Sequence, residues 1–209
     1  MYFIGIDPGS SGAVSILKSD GSIECVFDMP MRFLIKRKKR ERKSKYLADG
    51  KTLRKKVSPI KQDNRKVLDA KLLFRNLLPY KDNVSVCVLE FVSSHSRQGV
   101  KSMFSFGEVV GATKGVLESL GINYRMVTPI TWQKSFDLTG KNKTKDEHKQ
   151  DIMILSQSFY PNIEYHGSKG GLKDGRSDSL LIARYGFNNN GQGNWIGMGP
   201  FDEQDPELC

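Results

Sequence analysis

Three runs rich in apolar and β-branched residues open the chain. Residues 2–7 and 12–17 flank a Pro-Gly-Ser turn, and residues 23–28 follow an Asp20-Gly21 turn signal, so the pattern predicts a three-stranded meander. Residues 84–90, VSVCVLE, are apolar without alternation, which predicts a strand covered on both faces. Residues 124–127 read as a further short strand. Helical spacing appears at Val67, Leu68, Leu72, Leu73, Leu77 and Leu78, predicting a helix over 67–78. A long helix is predicted over 98–120, with Val100, Met103, Phe104, Val110 and Leu117 on or near one side. Gly107, Gly111 and Gly115 inside it each weaken it by about 1 kcal/mol relative to Ala, unless something has to come close. Further helices are predicted over 145–159 and 174–187, and the NNNGQGN stretch with the acidic tail, residues 188–209, is expected to be mobile. A meander followed by strand–helix units implies an α/β protein whose mixed sheet carries helices on its faces.

Length and charge refine this picture. A chain of 209 residues accommodates one well-packed core with a sizeable insertion. From Arg32 to Lys66 there are 16 Lys and Arg against three acids, a net of +13; the whole chain carries +10, so the remainder sums to −3. The positive charge is thus confined to one segment, the footprint expected of a nucleic-acid partner, although a solvated face or a localisation signal has the same composition. Inside it, KYLADGKTLRKKV places Asp49-Gly50 between two strand-compatible runs and predicts a basic two-stranded ribbon. No apolar run approaches the roughly 20 residues that span a bilayer, and the first segment lacks the basic flank of a signal peptide, so a cytoplasmic location is expected. Cys25, Cys87 and Cys209 show no metal-ligand spacing and read as free thiols of a reducing compartment.

The candidate chemistry lies in four carboxylates at the ends of elements. Asp7 closes the first predicted strand and Glu90 the fourth, while Asp174 and Asp178 stand four apart, on one face of the last helix. Taken singly, Asp7 reads as a turn cap and Asp174 as a helix N-cap. Glu90 at the end of so apolar a strand is costly without a partner, and Asp178 precedes SLLIA in a helix that faces protein. Together they point to a divalent ion, and oxygen-only ligands favour Mg²⁺ or Mn²⁺ over zinc. Trp132 reads as core more readily than as a base-stacking platform.

These residues and their surroundings resemble the RuvC-like Holliday junction resolvases, most closely the bacteriophage members of that family. The resemblance is carried by FIGIDPGSSGA, by LEFV followed by RQGVKSMFSFGEVVGATKGVLESLGI, by VTPITWQKSF and by KDGRSDSLLIARYG. It implies a nuclease domain over 1–187 with an RNase H-like mixed five-stranded sheet; the basic insertion at 31–66 that interrupts it is absent from the compact cellular enzymes, so its DNA-binding role rests on its charge and not on the resemblance. It further implies a homodimer whose four-carboxylate site, Asp7, Glu90, Asp174 and Asp178, holds two Mg²⁺ ions, replaceable by Mn²⁺, and cuts branched DNA. In such a site Lys134 stabilises the pentavalent phosphate or, as a surface lysine, contacts DNA or only solvent. The insertion would track phosphates through Lys36, Arg37, Lys38, Lys39, Arg40, Arg42, Lys43, Lys45, Lys51, Arg54, Lys55 and Lys56. The loop after Glu90 carries Phe91, His95 and Arg97: Phe91 wedges into an opened junction or packs in the core, and His95 assists proton transfer or is an incidental loop histidine. The chain departs from the cellular enzymes in the last acidic pair, which they space three apart; here Gly175 takes that place and Asp174 lies four back. Broader debranching or flap cutting, a catalytically silent branched-DNA-binding protein, and an actin-like sugar kinase lacking room for its second lobe are the alternatives.

Overall fold

The computed structural model describes residues 1–34, 66–91, 99–138, 140–168, 170–190 and 192–198. The meander forms as expected from β1 (Tyr2–Ile6), β2 (Ala13–Lys18) and β3 (Ile23–Asp28), each antiparallel to the next. Residues Met31–Phe33 (β4) and Lys66–Leu68 (β5) pair antiparallel in a small separate ribbon at the two ends of the basic insertion. The central part of that insertion lies outside the described residues, as do all twelve of its nominated DNA-binding cations. The helix expected from residue 67 starts later, at α1 (Ala70–Leu77). Val67 and Leu68 are drawn into the ribbon, and the Asp69 side chain accepts from the Leu72 N–H to cap the helix behind them.

Then come β6 (Val84–Glu90), α2 (Val100–Ser119), β7 (Tyr124–Val127), α3 (Pro129–Lys134), α4 (Lys145–Phe159) and α5 (Asp174–Asn189). Helix α3 is a finding the apolar pattern did not predict. Thr128 caps it and Pro129 occupies its first turn, where a missing N–H costs nothing. Helix α4 begins with a reciprocal capping box between Thr144 and Glu147. Strands β6 and β7 add parallel to β1, giving the order β3-β2-β1-β6-β7, the expected mixed five-stranded sheet flanked by helices. A sixth strand, β8 (Gly197–Met198), extends it antiparallel beside β7. This strand falls in the segment expected to be mobile. Residues 192–198 instead fold back, with Trp195 edge-on to Tyr185, because that large indole gains more from the body than from water.

Period-two alternation divides the core between the faces of the sheet. Ile4, Ile6, Val14, Ile16, Cys87 and Leu89 face a layer that includes Leu73, Leu77, Val109, Val116 and Leu117 from α1 and α2. Phe3, Leu17, Val86 and Val88 face the layer of Trp132, Ile152, Leu180, Leu181 and Ile182 from α3, α4 and α5. The unbroken apolar run of β6 is explained by this double cover. On the second face Gly5 admits α5 closely: a Cβ there would lie 2.2 Å from the Ser179 carbonyl oxygen. Nothing comes within 4 Å of a Cβ built at Gly107, Gly111 or Gly115, so among the described residues no close approach explains them. No helix is long and apolar enough to cross a membrane, again among the described residues.

Candidate metal centre

The parallel pairing of β1 with β6 sets Ile6 beside Leu89, so Asp7 and Glu90 leave neighbouring strands at the same end of the sheet. Helix α5 packs across β1, β2 and β6 and brings its first turn over those strand ends. Packing fixes it there. Leu180, Leu181 and Ile182 are fully buried, and each such side chain stabilises by about 2 kcal/mol, whereas the helix has no side-chain N-cap bond. Asp174 is therefore not an N-cap; it is the first helical residue, and its carboxylate pairs with Lys149 of α4. At the other side of the turn Asp28, the last residue of β3, accepts from Arg176 Nε at 2.6 Å and from Lys173 Nζ at 2.7 Å. These ion pairs tie the start of α5 to the meander.

The spacing of the acidic pair has a steric cause. Gly175 bridges to Gly12 in the β1–β2 turn, and a Cβ at 175 would lie 2.4 Å from the Ser11 carbonyl oxygen. An aspartate three residues before Asp178 therefore has no room in this fold, and residue 174, one step earlier, carries the acid instead.

Each acid is held differently. Asp7 Oδ1 accepts from the Gly9 N–H at 2.9 Å, so the turn-capping role is real, and it also fixes the carboxylate. Burial raises the Asp7 pKa to about 6; Asp174 adds to the rise, while the Gly9 N–H and the Lys149 ammonium oppose it. Glu90 is only 8 % exposed, and its Oε1 accepts from the Trp132 indole N–H at 2.8 Å. Burial, then the charge of Asp7, lifts its pKa to about 7 against the pull of that hydrogen bond. Burial also pushes Asp178 well above the usual carboxylate range, with Asp7, Glu90 and Asp174 all repelling its negative charge. The four acids expected from the sequence thus converge on one electrostatic site.

They do not yet form a cage. Among the described residues no three carboxylate, imidazole or thiol groups close around a single point. Like charges hold one another apart, and Asp174 turns to Lys149, raising that lysine's own pKa. The donor set nevertheless fits a hard divalent cation: all-oxygen, anionic, partly buried, and short of positive charge.

Lys134 is exposed at the end of α3 and lines an open cleft of about 490 Å³ with Ile130, Gln133, Asp137, Leu138 and Gly140. Phe91 is half-buried, its N–H bonded to the Val127 carbonyl at 2.8 Å; His95 and Arg97 lie outside the described residues. Two participants were missed by sequence reasoning. Trp132 is core, but it is also the hydrogen-bond donor to Glu90, and nothing in the spacing of residues 90 and 132 announces that. Lys149 is one of many lysines, and only the packing of α4 on α5 singles it out.

No protein-family model and no curated protein sequence matches the chain. Among solved structures, the chain is similar to Thermus thermophilus RuvC in complex with Holliday junction substrate. The identity is 16 %, 94 % of this chain and 99 % of that chain are covered, and the TM-score is 0.48. A second structure of Thermus thermophilus RuvC is 15 % identical over 94 % of this chain and all of its own, with a TM-score of 0.45.

Proposed function

We propose that this chain is a metal-dependent endodeoxyribonuclease that hydrolyses phosphodiester bonds in branched DNA, four-way junctions foremost, as a homodimer. One observation carries the reading: buried Glu90 and half-buried Asp7 and Asp178 meet at one end of the sheet with raised pKa values, an arrangement that costs stability unless a cation completes it. The motifs FIGIDPGSSGA and KDGRSDSLLIARYG, which resemble those of the RuvC-like and bacteriophage resolvases, supply the first and last of these acids.

In this reading Asp7, Glu90 and Asp178 hold Mg²⁺, with Asp174 as the fourth acid. The ion, when bound, supplies Lewis acidity to the phosphodiester and to the attacking water. The protein's part is positional. The Gly9 N–H fixes Asp7, the Trp132 indole orients Glu90, and α5 presents Asp178 between the buried Ser177 and Ser179. The small residues of the PGSSG turn leave room for a DNA backbone beside these acids. The basic insertion and Arg97 bind phosphates along the junction arms, Lys134 contacts DNA from its open cleft beside α3, and Phe91 meets the branch point.

The test is cleavage of a synthetic four-way junction in Mg²⁺ by the wild type and by Asp7→Asn, with products mapped strand by strand. Paired symmetric nicks, abolished by Asp7→Asn while junction binding survives, are expected. Cutting of flaps and forks in preference to junctions would make the protein a broader debranching enzyme. Binding without any cleavage would leave it a recognition module.

A further inference from the structure

The sequence offered no cation for the carboxylate cluster; the fold supplies one. Lys149 projects from α4 to the start of α5, where its ammonium pairs with Asp174, and its charge also reaches Asp7 and Asp178. It is neither a surface lysine nor a sealed one: its side chain keeps 35 % of its exposure, and that of Asp174 keeps 25 %. The pair therefore lies at the mouth of the site, while Glu90 and its Trp132 donor form the floor.

We infer that Lys149 is a built-in counter-ion occupying the Asp174 side of the site, so that the free protein holds one divalent ion tightly, on Asp7, Glu90 and Asp178. A second ion is admitted only when an anionic substrate draws the lysine away. The inference rests on the metal-dependent reading proposed above. Charge accounting supports the division of labour. Four carboxylates, one divalent ion and one ammonium leave a net charge of −1, close to neutral. An arriving phosphodiester makes it −2, which one further divalent ion neutralises. Without substrate, a second ion must displace an ammonium already bonded to its ligand. With substrate, the ammonium gains a phosphate oxygen as an alternative partner and Asp174 is released. A lysine suits this exchange, being a compact charge on a flexible four-carbon stem rather than a fixed planar fork.

The experiment counts ions on the full-length chain with Mn²⁺ alone, by electron paramagnetic resonance titration at pH 8, in the absence of DNA. Wild type should bind one Mn²⁺, with a second at least tenfold weaker. Lys149→Met and Lys149→Gln should bind the second at least tenfold more tightly than wild type, and Lys149→Arg should titrate as wild type does. Two equal sites in wild type, or a second site unaffected in both neutral variants, would overturn the inference while leaving junction cleavage and its loss in Asp7→Asn untouched. An absence of Mn²⁺ binding in every variant would remove the metal-dependent reading and this inference together.

Discussion

Replacing Glu90 by Gln should make the metal-free protein more stable at pH 8, although it removes a residue placed at the centre of the proposed site. The folded protein raises the Glu90 pKa from 4.5 to about 7. At 1.36 kcal/mol per pH unit, that rise corresponds to about 3 kcal/mol favouring the neutral form. The sign follows from where the proton is lost. Below pH 4.5 the group is neutral in both folded and unfolded chains and contributes nothing. Between 4.5 and about 7 the unfolded chain gives up its proton while the folded one keeps it, so stability falls as pH rises; above 7 the full cost is present. Gln keeps the volume and an acceptor oxygen for Trp132, and its amide donates to the neighbouring acids, so the substitution removes charge and little else. The gain at pH 8 should approach about 3 kcal/mol, or roughly 6 to 12 °C in Tm for a chain of this size. It should vanish at pH 4. Thermal unfolding followed by circular dichroism in EDTA at the two pH values measures it. Saturating Mg²⁺ should narrow or reverse the difference, since the wild type gains more from the ion. A Glu90→Gln protein that is less stable than wild type at pH 8 in EDTA, or equally shifted at both pH values, would refute the electrostatic account of the site.

Three further outcomes follow from the same geometry. Trp132→Phe keeps the aromatic packing but deletes the only N–H that the indole offers Glu90; a hydrogen bond to a charged group contributes about 1.5 to 3 kcal/mol, so Mn²⁺ affinity measured by calorimetry should fall at least tenfold. Unchanged affinity would mean that the bond does not orient the ligand. Gly175→Ala drives a Cβ to 2.4 Å from the Ser11 oxygen, a backbone clash that cannot relax by a rotamer change; a loss of about 1 to 3 kcal/mol in urea unfolding is expected, together with weaker metal binding. Deleting residues 36–56 should lower affinity for a four-way junction and flatten its salt dependence by about 0.9 in the log–log slope for each phosphate no longer neutralised, leaving Mn²⁺ binding intact. An unaltered slope in fluorescence anisotropy would remove the insertion from the DNA interface.

The strands were legible because their apolar runs and turn signals are local. VSVCVLE announced both its extent and its double cover, and the Asp20-Gly21 turn placed β3 to the residue. Two errors came from competition between signals. Val67 and Leu68 continue the apolar spacing of α1, yet a strand partner thirty-odd residues earlier claims them; Trp195 follows a Gly- and Asn-rich stretch, yet finds Tyr185. Helix α3 was missed because six residues are too few to display a period, and its cap and proline were the available signal.

Glu90 and Asp178 are marked by the sequence itself, since a carboxylate at the end of so apolar a strand, or inside a helix about to run SLLIA, carries a cost visible without coordinates; Asp7 and Asp174, readable singly as caps, join them through the company they keep. How the four acids meet is not marked there. That Asp7 and Glu90 are neighbours depends on a parallel register between strands nearly eighty residues apart. That the last pair must be spaced by four depends on Gly175 touching the β1–β2 turn. Trp132 and Lys149 enter the site only because α3 and α4 pack beside α5. Hydrophobic periodicity records which face a residue turns inward, and the cost of burying charge marks an acid that needs a partner. The partner itself is chosen by packing between elements distant along the chain, which leaves no trace in local spacing.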